Sequence, residues 1–411
     1  MITIKLRARI TAFAGLVCLL TILSCAGEVL NPSRGLTMNE YDTVTSSAYL
    51  AGISGTITDA YTGLPVSGAE VSTLGWDNCY AATTAADGSY RLVVRAGTDD
   101  FYSTRVRAIS PDYNIVRTEE SVELDKDEDT ELDMQLVRRP DVEIEEVYAA
   151  GPGWNSGTIY AGYDSTAGIP FLVKLVSGDM LIRKFNAFNE TDSFTDAFTP
   201  KNSANSEYLE AYALQGGITY YAARDEIWIF SYTDRTVIFQ YSADSSGDTP
   251  AAAEISLNGG SYYPYIRGIA IRNYEGNQSL WMADDDGLIK FTNPASSTDI
   301  GAAPGNLTES SSYSYESIKD ITFDSDGMLW VTTDSFAIVK IDPERLAAGE
   351  NCEMAMVPLG MGSCPSFPYT SNNYKNGIAF GGPDGGSKIF WLTFINDYGT
   401  EYVYKLRITG D

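Results

Sequence analysis

Apolar and polar positions alternate with period two through much of the chain after residue 48. Ile53, Gly55 and Ile57 alternate with Ser54 and Thr56, and Leu132, Met134 and Leu136 alternate with Asp133 and Gln135. Tyr90, Leu92 and Val94 repeat the pattern around Arg91 and Val93. Such alternation buries one face of a strand and wets the other, as in a sandwich of antiparallel sheets. Turn residues punctuate the strands at Thr62-Gly63-Leu64-Pro65 and Asp87-Gly88-Ser89. Pro140 has no N–H to pair and restricts the residue before it, so Arg138-Arg139-Pro140 marks a boundary.

Beyond that boundary the pattern becomes a repeat. An apolar-polar-apolar strand recurs as Leu172-Val173-Lys174-Leu175, Ile238-Phe239-Gln240-Tyr241, Leu288-Ile289-Lys290-Phe291, Ile338-Val339-Lys340-Ile341 and Val403-Tyr404-Lys405-Leu406. Upstream of each lies an aromatic strand: Ile159-Tyr160, Ile227-Trp228-Ile229, Leu280-Trp281-Met282, Leu329-Trp330-Val331 and Phe390-Trp391-Leu392. Four units open on a further apolar strand, Gly217-Ile218-Thr219, Gly268-Ile269-Ala270, Asp320-Ile321-Thr322 and Gly377-Ile378-Ala379. Several strands per unit, repeated, describe a β-propeller. Five units are legible, and the long gap between Lys174 and Gln240 leaves room for a sixth or for a long loop. The expected fold is therefore all-β, a small Greek-key β-sandwich at 48–138 followed by a β-propeller of five or six blades at 142–411.

The sandwich segment resembles the carboxypeptidase regulatory-like, or transthyretin-like, domain. The blocks that carry the resemblance are Gly55-Thr56-Ile57-Thr58-Asp59, Thr62-Gly63-Leu64-Pro65-Val66-Ser67-Gly68-Ala69-Glu70-Val71 and Asp87-Gly88-Ser89-Tyr90. The resemblance implies an accessory module of exported proteins and no peptidase activity. The unit Ile321-Thr322-Phe323-Asp324-Ser325-Asp326-Gly327-Met328-Leu329-Trp330-Val331 is similar to NHL-type and two-component-regulator-type propeller repeats.

The amino terminus reads as a targeting signal. Lys5, Arg7 and Arg9 precede an apolar run from Ile10 to Leu23 that is short for a membrane span. Its end, Ile22-Leu23-Ser24-Cys25, resembles the lipobox of bacterial lipoproteins. That resemblance implies a signal peptide at 1–24, cleavage before Cys25, and a lipid on Cys25 as the membrane anchor. Residues 25–47 then form a polar tether. Ala26 in place of Asp after the cysteine favours the outer membrane over the inner.

Composition narrows the chemistry. The chain has 28 Lys and Arg against 55 Asp and Glu, a net charge of -27, which argues against nucleic acid as a partner. It has no His, which excludes Ser-His-Asp and Cys-His nucleophiles and imidazole metal ligands. No cofactor or metal is expected. Asp284-Asp285-Asp286-Gly287 and Asp324-Ser325-Asp326-Gly327 read as hairpin turns, since Ala295 stands where an EF-hand counted from Asp284 needs Glu. Of the three cysteines left after Cys18 and Cys25, Cys352 and Cys364 are close enough in sequence to bridge, which leaves Cys79 unpaired.

The remaining signal is tyrosine. Connections leading into the opening strands carry Tyr208 and Tyr212, then Tyr262, Tyr263 and Tyr265, then Tyr313 and Tyr315, then Tyr369 and Tyr374. Arg267, Lys319 and Lys375 lie in the same connections. Tyr offers a flat apolar face and a polar tip, so such a ring suits a glycan or a peptide. The expectation is a non-catalytic lipoprotein of the cell envelope that binds a glycan or peptide on one propeller face. The rivals are an enzyme acting on a polysaccharide or lactone and a purely structural envelope component. Tyr residues that merely pack between blades are the alternative for the ring itself.

Overall fold

A computed structural model describes most of residues 50–410. Outside it lie 1–49, 411 and the stretches 75–79, 96–100, 119–120, 126–127, 153–159, 166–167, 177–178, 186–193, 203–206, 210–216, 231–236, 259–265, 285–286, 293–305, 315–317, 334–336, 360–376 and 396–399. Cα packing divides the chain into two units. One comprises the residues up to Ile57 with Ser67–Ala108 and Arg117–Met134; the other comprises Thr58–Val66, Ile109–Val116 and Gln135–Asp411.

Nine strands come first: β1 (Leu50–Asp59), β2 (Glu70–Leu74), β3 (Ala81–Thr83), β4 (Ser89–Arg95), β5 (Phe101–Ile109), β6 (Val116–Arg117), β7 (Val122–Asp125), β8 (Asp129–Glu131) and β9 (Met134–Leu136). They make two sheets, β4-β1-β8 with β9 also on β1, and β3-β2-β5-β6 with β7 also on β5. The period-two pattern is realised directly. Ile53 lies opposite Leu92 across the antiparallel β1–β4 pair, and Ile53, Ile57, Leu92 and Val94 are all buried. Val71, Val106 and Leu124 are the buried counterparts on the second sheet.

The rest of the chain runs β10 (Asp141–Pro152), β11 (Tyr160–Asp164), β12 (Ile169–Val176), β13 (Asp179–Phe185), β14 (Phe194–Lys201), β15 (Gly217–Tyr221), β16 (Glu226–Phe230), β17 (Val237–Ser242), β18 (Gly247–Pro250), β19 (Ala253–Asn258), β20 (Gly268–Tyr274), β21 (Asn277–Ala283), β22 (Gly287–Thr292) and β23 (Asn306–Ser314). It ends with β24 (Ile318–Phe323), β25 (Leu329–Thr333), β26 (Ala337–Ile341), the helix α1 (Pro343–Ala348), β27 (Glu353–Pro358), β28 (Ile378–Asp384), β29 (Ser387–Ile395) and β30 (Thr400–Thr409). Among the described residues these form five four-stranded arrays, β11-β12-β13-β14, β15-β16-β17-β19, β20-β21-β22-β23, β24-β25-β26-β27 and β28-β29-β30-β10, with β18 added in parallel on β14 and a parallel β19–β23 pairing joining the second and third arrays. The first strands of the arrays, β11, β15, β20, β24 and β28, pack side by side around a ring that closes where β28 meets β11. That ring is a β-propeller.

The fifth array takes its outer strand from the other end of the propeller segment: β10 pairs antiparallel with β30. Glu145 on β10 joins Lys405 at 3.0 Å and also pairs with Arg407, which reaches Asp384 at 2.7 Å. The ring is thus fastened by main-chain bonds and half-exposed ion pairs together.

The repeated motifs have one structural meaning. Each tryptophan sits on the second strand of its array and faces the central residue of the apolar-polar-apolar strand. The pairs are Trp228 with Gln240, Trp281 with Lys290, Trp330 with Lys340 and Trp391 with Lys405. Lys290 and Lys340 each hold their ammonium 5.7 Å from the facing indole, a distance at which the ring quadrupole attracts a cation. The first array departs from the sequence reading by one strand. Tyr160 begins its inner strand, not its second, and Leu172 occupies the tryptophan position while Arg183 on β13 occupies the lysine position. Arg183 pairs with Asp196 at 2.9 Å. The described residues between Lys174 and Gln240 supply the outer strands of the first array and the inner strands of the second.

Candidate functional site

The five inner strands enclose an axial cavity of about 170 Å³. Equivalent positions form layers around it. Ala161, Thr219, Ala270, Thr322 and Ala379 each face the second strand at the tryptophan level, so only small side chains stand there. One residue further along come Gly162, Tyr220, Ile271, Phe323 and Phe380, and all of these line the cavity. Tyr163, Tyr220 and Phe380 are half-buried, while Ser165 and Ala222 beside them are exposed. The cavity therefore has an aromatic, partly wet mouth at the carboxyl ends of the inner strands. Tyr220 is fixed by donating its hydroxyl to Asp225 at 2.6 Å. Burial raises the Tyr163 hydroxyl above its ordinary pKa, which Lys405 partly offsets, so this phenol stays a neutral donor.

The other end of the axis is built around Asp320. Its Oδ1 accepts the Ile321 N–H and its Oδ2 accepts the Ile378 N–H, both at 2.9 Å, and the Ala161 N–H also bonds to the carboxylate. One side chain thus ties the inner strands of the fourth, fifth and first arrays together. Asp320 is 2 % exposed, and its carboxyl is pushed well above the usual range by burial, which outweighs the three N–H donors. Glycines let the inner strands of the second, third and fourth arrays approach closely here. A Cβ on Gly268 would lie 2.4 Å from Asp320 Oδ1, and one on Gly217 would lie 2.9 Å from the Ile269 nitrogen. Within the cavity, Thr322 Oγ1 accepts the Phe380 N–H at 3.1 Å, a second side-chain bond from the fourth array to the fifth. Sequence reasoning missed Asp320, although a signal existed: Asp stands where the other three opening strands begin with Gly.

The Asp324 turn is closed chemically. Its carboxylate accepts the N–H groups of Asp326 and Met328 at 2.9 Å and the Trp330 indole at 2.8 Å, and it pairs with Lys388 at 2.9 Å. Gly327 takes φ +73°, as a hairpin of this kind requires. Its oxygens serve the protein itself, which is how a hairpin turn differs from an open metal loop.

Tyr212, Tyr262, Tyr263, Tyr265, Tyr315, Tyr374 and Lys375 lie outside the described residues, as do Cys25, Cys79 and Cys364. Tyr313 is not in a connection: it belongs to β23 and stacks on Trp281, ring centroids 5.4 Å apart and planes 16° apart. The β22–β23 pairing extends to Ser314 and carries Tyr313 with it. Tyr208 is 39 % exposed, donates to Asp248 at 2.9 Å, and has the Lys201 ammonium 4.3 Å from its ring. Arg267 is half-buried and donates its main-chain N–H to Ala283 at 2.8 Å; Lys319 lies on β24, half-exposed between the buried Ile318 and Asp320. Cys352 is buried in the core of the fourth array, and that burial raises its thiol pKa; Cys364, the other half of the expected bridge, lies outside the described residues.

No family model matches the chain, and no curated protein is similar to it in sequence. Similar solved structures include the WD40 domain of Toxoplasma gondii coronin, at 11 % identity and TM-score 0.31, over 65 % of this chain and 60 % of that one. An auxiliary nutrient binding protein from Bacteroides thetaiotaomicron is 10 % identical with TM-score 0.35, over 84 % of this chain and 92 % of that one. A calcium-binding protein, regucalcin, from Agrobacterium tumefaciens is 11 % identical with TM-score 0.36, over 67 % and 97 %.

Proposed function

We propose that the chain is a non-catalytic binding protein of the cell envelope, anchored through a lipid on Cys25, that takes a glycan at the aromatic mouth of its propeller axis. The observation that carries this reading is the lining of the cavity. It offers aromatic faces, hydroxyls and small side chains, and it holds no carboxylate, amine or thiol among the described residues. Glycoside hydrolysis needs two carboxyl groups flanking one bond, and nucleophilic catalysis needs an activated side chain. Binding needs neither. At about 170 Å³ the cavity is smaller than the roughly 300–1,000 Å³ usual for enclosed ligand sites. A ligand therefore lies across the mouth and inserts one group. Tyr163, Tyr220 and Phe380 supply the flat surfaces against which a sugar ring packs.

A glycan array probed with the mature protein tests the reading, followed by calorimetry on any hit. Tyr220→Ala and Phe380→Ala are expected to weaken that binding at least ten-fold with the fold retained by circular dichroism. Tyr263→Ala and Tyr265→Ala, in one of the tyrosine-bearing connections, are expected to leave it unchanged. Loss confined to the latter pair moves the site to the tyrosine-bearing connections. Release of reducing ends from any polysaccharide by the purified protein overturns the non-catalytic reading.

A further inference from the structure

Arg272, one residue beyond the cavity-lining Ile271, has an unused hydrogen-bond donor. The residue is 6 % exposed. Its Nε donates to the Gly327 carbonyl at 3.0 Å and its Nη1 to Glu344 Oε1 at 2.6 Å. Its Nη2 is buried with no partner. The guanidinium lies 4.8 Å from the Tyr274 ring centroid and 6.0 Å from that of Phe323, which itself lines the cavity. Two aromatic planes and the Gly327 carbonyl thus hold the group in one orientation. Tyr274 in turn packs so closely on the Asp324 turn that a Cβ on Gly327 would meet its ring at 2.6 Å.

A buried guanidinium N–H without an acceptor costs stability, and more so than a neutral unsatisfied group does. Glu344, whose side chain is 67 % exposed, engages only Nη1. Arginine binds carboxylates best in the bidentate mode, two parallel N–H···O bonds from one fork. The Nη1 and Nη2 groups form such a fork, half used by a solvent-exposed side chain on α1.

We propose that Arg272 is an anion-recognising residue beside the axial mouth, and that the glycan bound there carries a carboxylate, as a uronic acid does. The ligand carboxylate displaces Glu344 and takes both Nη1 and Nη2, while the sugar ring rests on the aromatic mouth. The inference rests on the glycan-binding reading of the same end of the axis. In a chain of net charge -27, an acidic ligand is disfavoured at long range, so recognition must come from a local, oriented cation.

The test is calorimetry of the full mature protein with oligogalacturonate and with a neutral galactan oligosaccharide of equal length. Oligogalacturonate is expected to bind at least ten-fold more tightly. Arg272→Gln is expected to abolish that preference, and Arg272→Lys to reduce it, because an ammonium keeps the charge without the fork. Glu344→Gln, a surface change that threatens no fold, is expected to strengthen oligogalacturonate binding several-fold by removing the competitor. Equal binding of the acidic and neutral sugars, or an acidic preference untouched by Glu344→Gln and by Arg272→Lys, overturns the assignment while the glycan reading stands. Binding of neither sugar set overturns the carboxylate assignment. If the glycan array is blank as well, and peptides bind instead, the glycan reading falls with it.

Discussion

Two buried aspartates in this protein occupy opposite electrostatic settings. Asp59 and Asp320 are each 2 % exposed, and each accepts main-chain N–H groups. Asp59 Oδ1 accepts the Tyr61 and Thr62 N–H groups, and its Oδ2 takes the Tyr113 hydroxyl and the Arg138 guanidinium at 2.9 Å. Burial alone would raise its carboxyl, but the Thr62 N–H and Arg138 prevail and hold it below the usual range. Asp320 has three N–H donors and no cation among the described residues, and burial prevails. Equal exposure therefore does not mean equal protonation. What decides the outcome is whether a counter-charge accompanies the hydrogen bonds. The two sites also do different jobs. Asp59 shapes one turn, from Asp59 to Leu64, whereas Asp320 ties three arrays of a ring.

The largest effect expected from breaking that contrast is Asp320→Ala. It leaves three buried N–H groups without an acceptor, at about 1–3 kcal/mol each. A loss of roughly 3 kcal/mol or more lowers the melting temperature by something like 6–12 °C for a unit of this size. Asp59→Ala is expected to cost about 1–2 kcal/mol. It removes a turn acceptor, but the Arg138 side chain it abandons is 53 % exposed and regains water. Calorimetric scans of the two variants decide the ranking. An Asp59→Ala shift equal to or larger than the Asp320→Ala shift contradicts the assignment of Asp320 as the tie between arrays.

How much of this was legible in the sequence follows from where the repeat keeps its register. Trp228, Trp281, Trp330 and Trp391 mark second strands because an indole needs the width between arrays, and that signal survives in single-residue form. The first array lost it: Leu172 and Arg183 stand at the tryptophan and lysine positions, and Lys174, one strand earlier, mimics the repeat's lysine. The β10–β30 closure was invisible because it joins segments far apart in sequence with no shared motif. Asp320 was visible as the odd member of a Gly-Ile series, but its meaning requires knowing that those residues meet at the axis. The aromatic mouth was missed because Tyr163, Tyr220 and Phe380 sit at inner-strand ends, where the count of tyrosines in connections does not look.

The pH dependence of stability sharpens the same comparison. A raised folded pKa means that Asp320 contributes stability that is complete below the ordinary carboxylate value and fades as pH rises toward its folded pKa. A lowered folded pKa means that Asp59 contributes stability that is complete above the ordinary carboxylate value and fades as pH falls through its folded pKa. Asn at either position removes the titration while keeping an acceptor. Relative to wild type, Asp320→Asn is expected to gain as pH rises from 4 to 8, and Asp59→Asn to lose most at neutral pH and least below about pH 3, near the unperturbed carboxylate values. Urea midpoints of the three proteins at several pH values provide the check, and parallel trends for the two variants would refute the opposite assignments.

The smallest effect separates the two acceptors within the axis. Thr322 Oγ1 and Asp320 both receive an inner-strand N–H of the fifth array, but Asp320 lies in dry protein while Thr322 is half-buried on the cavity wall. Thr322→Val keeps the shape and deletes the acceptor. In a dry site the orphaned Phe380 N–H would cost about 1–3 kcal/mol. On a polar cavity wall a water can take the bond at little penalty. The expected loss is therefore about 0.5–1 kcal/mol, well under that of Asp320→Ala, and faster amide exchange at Phe380 with the Ile378 amide still protected. Equal protection of both amides in the variant, or a loss near 3 kcal/mol, would show that the cavity excludes water and that the axis is sealed at both ends.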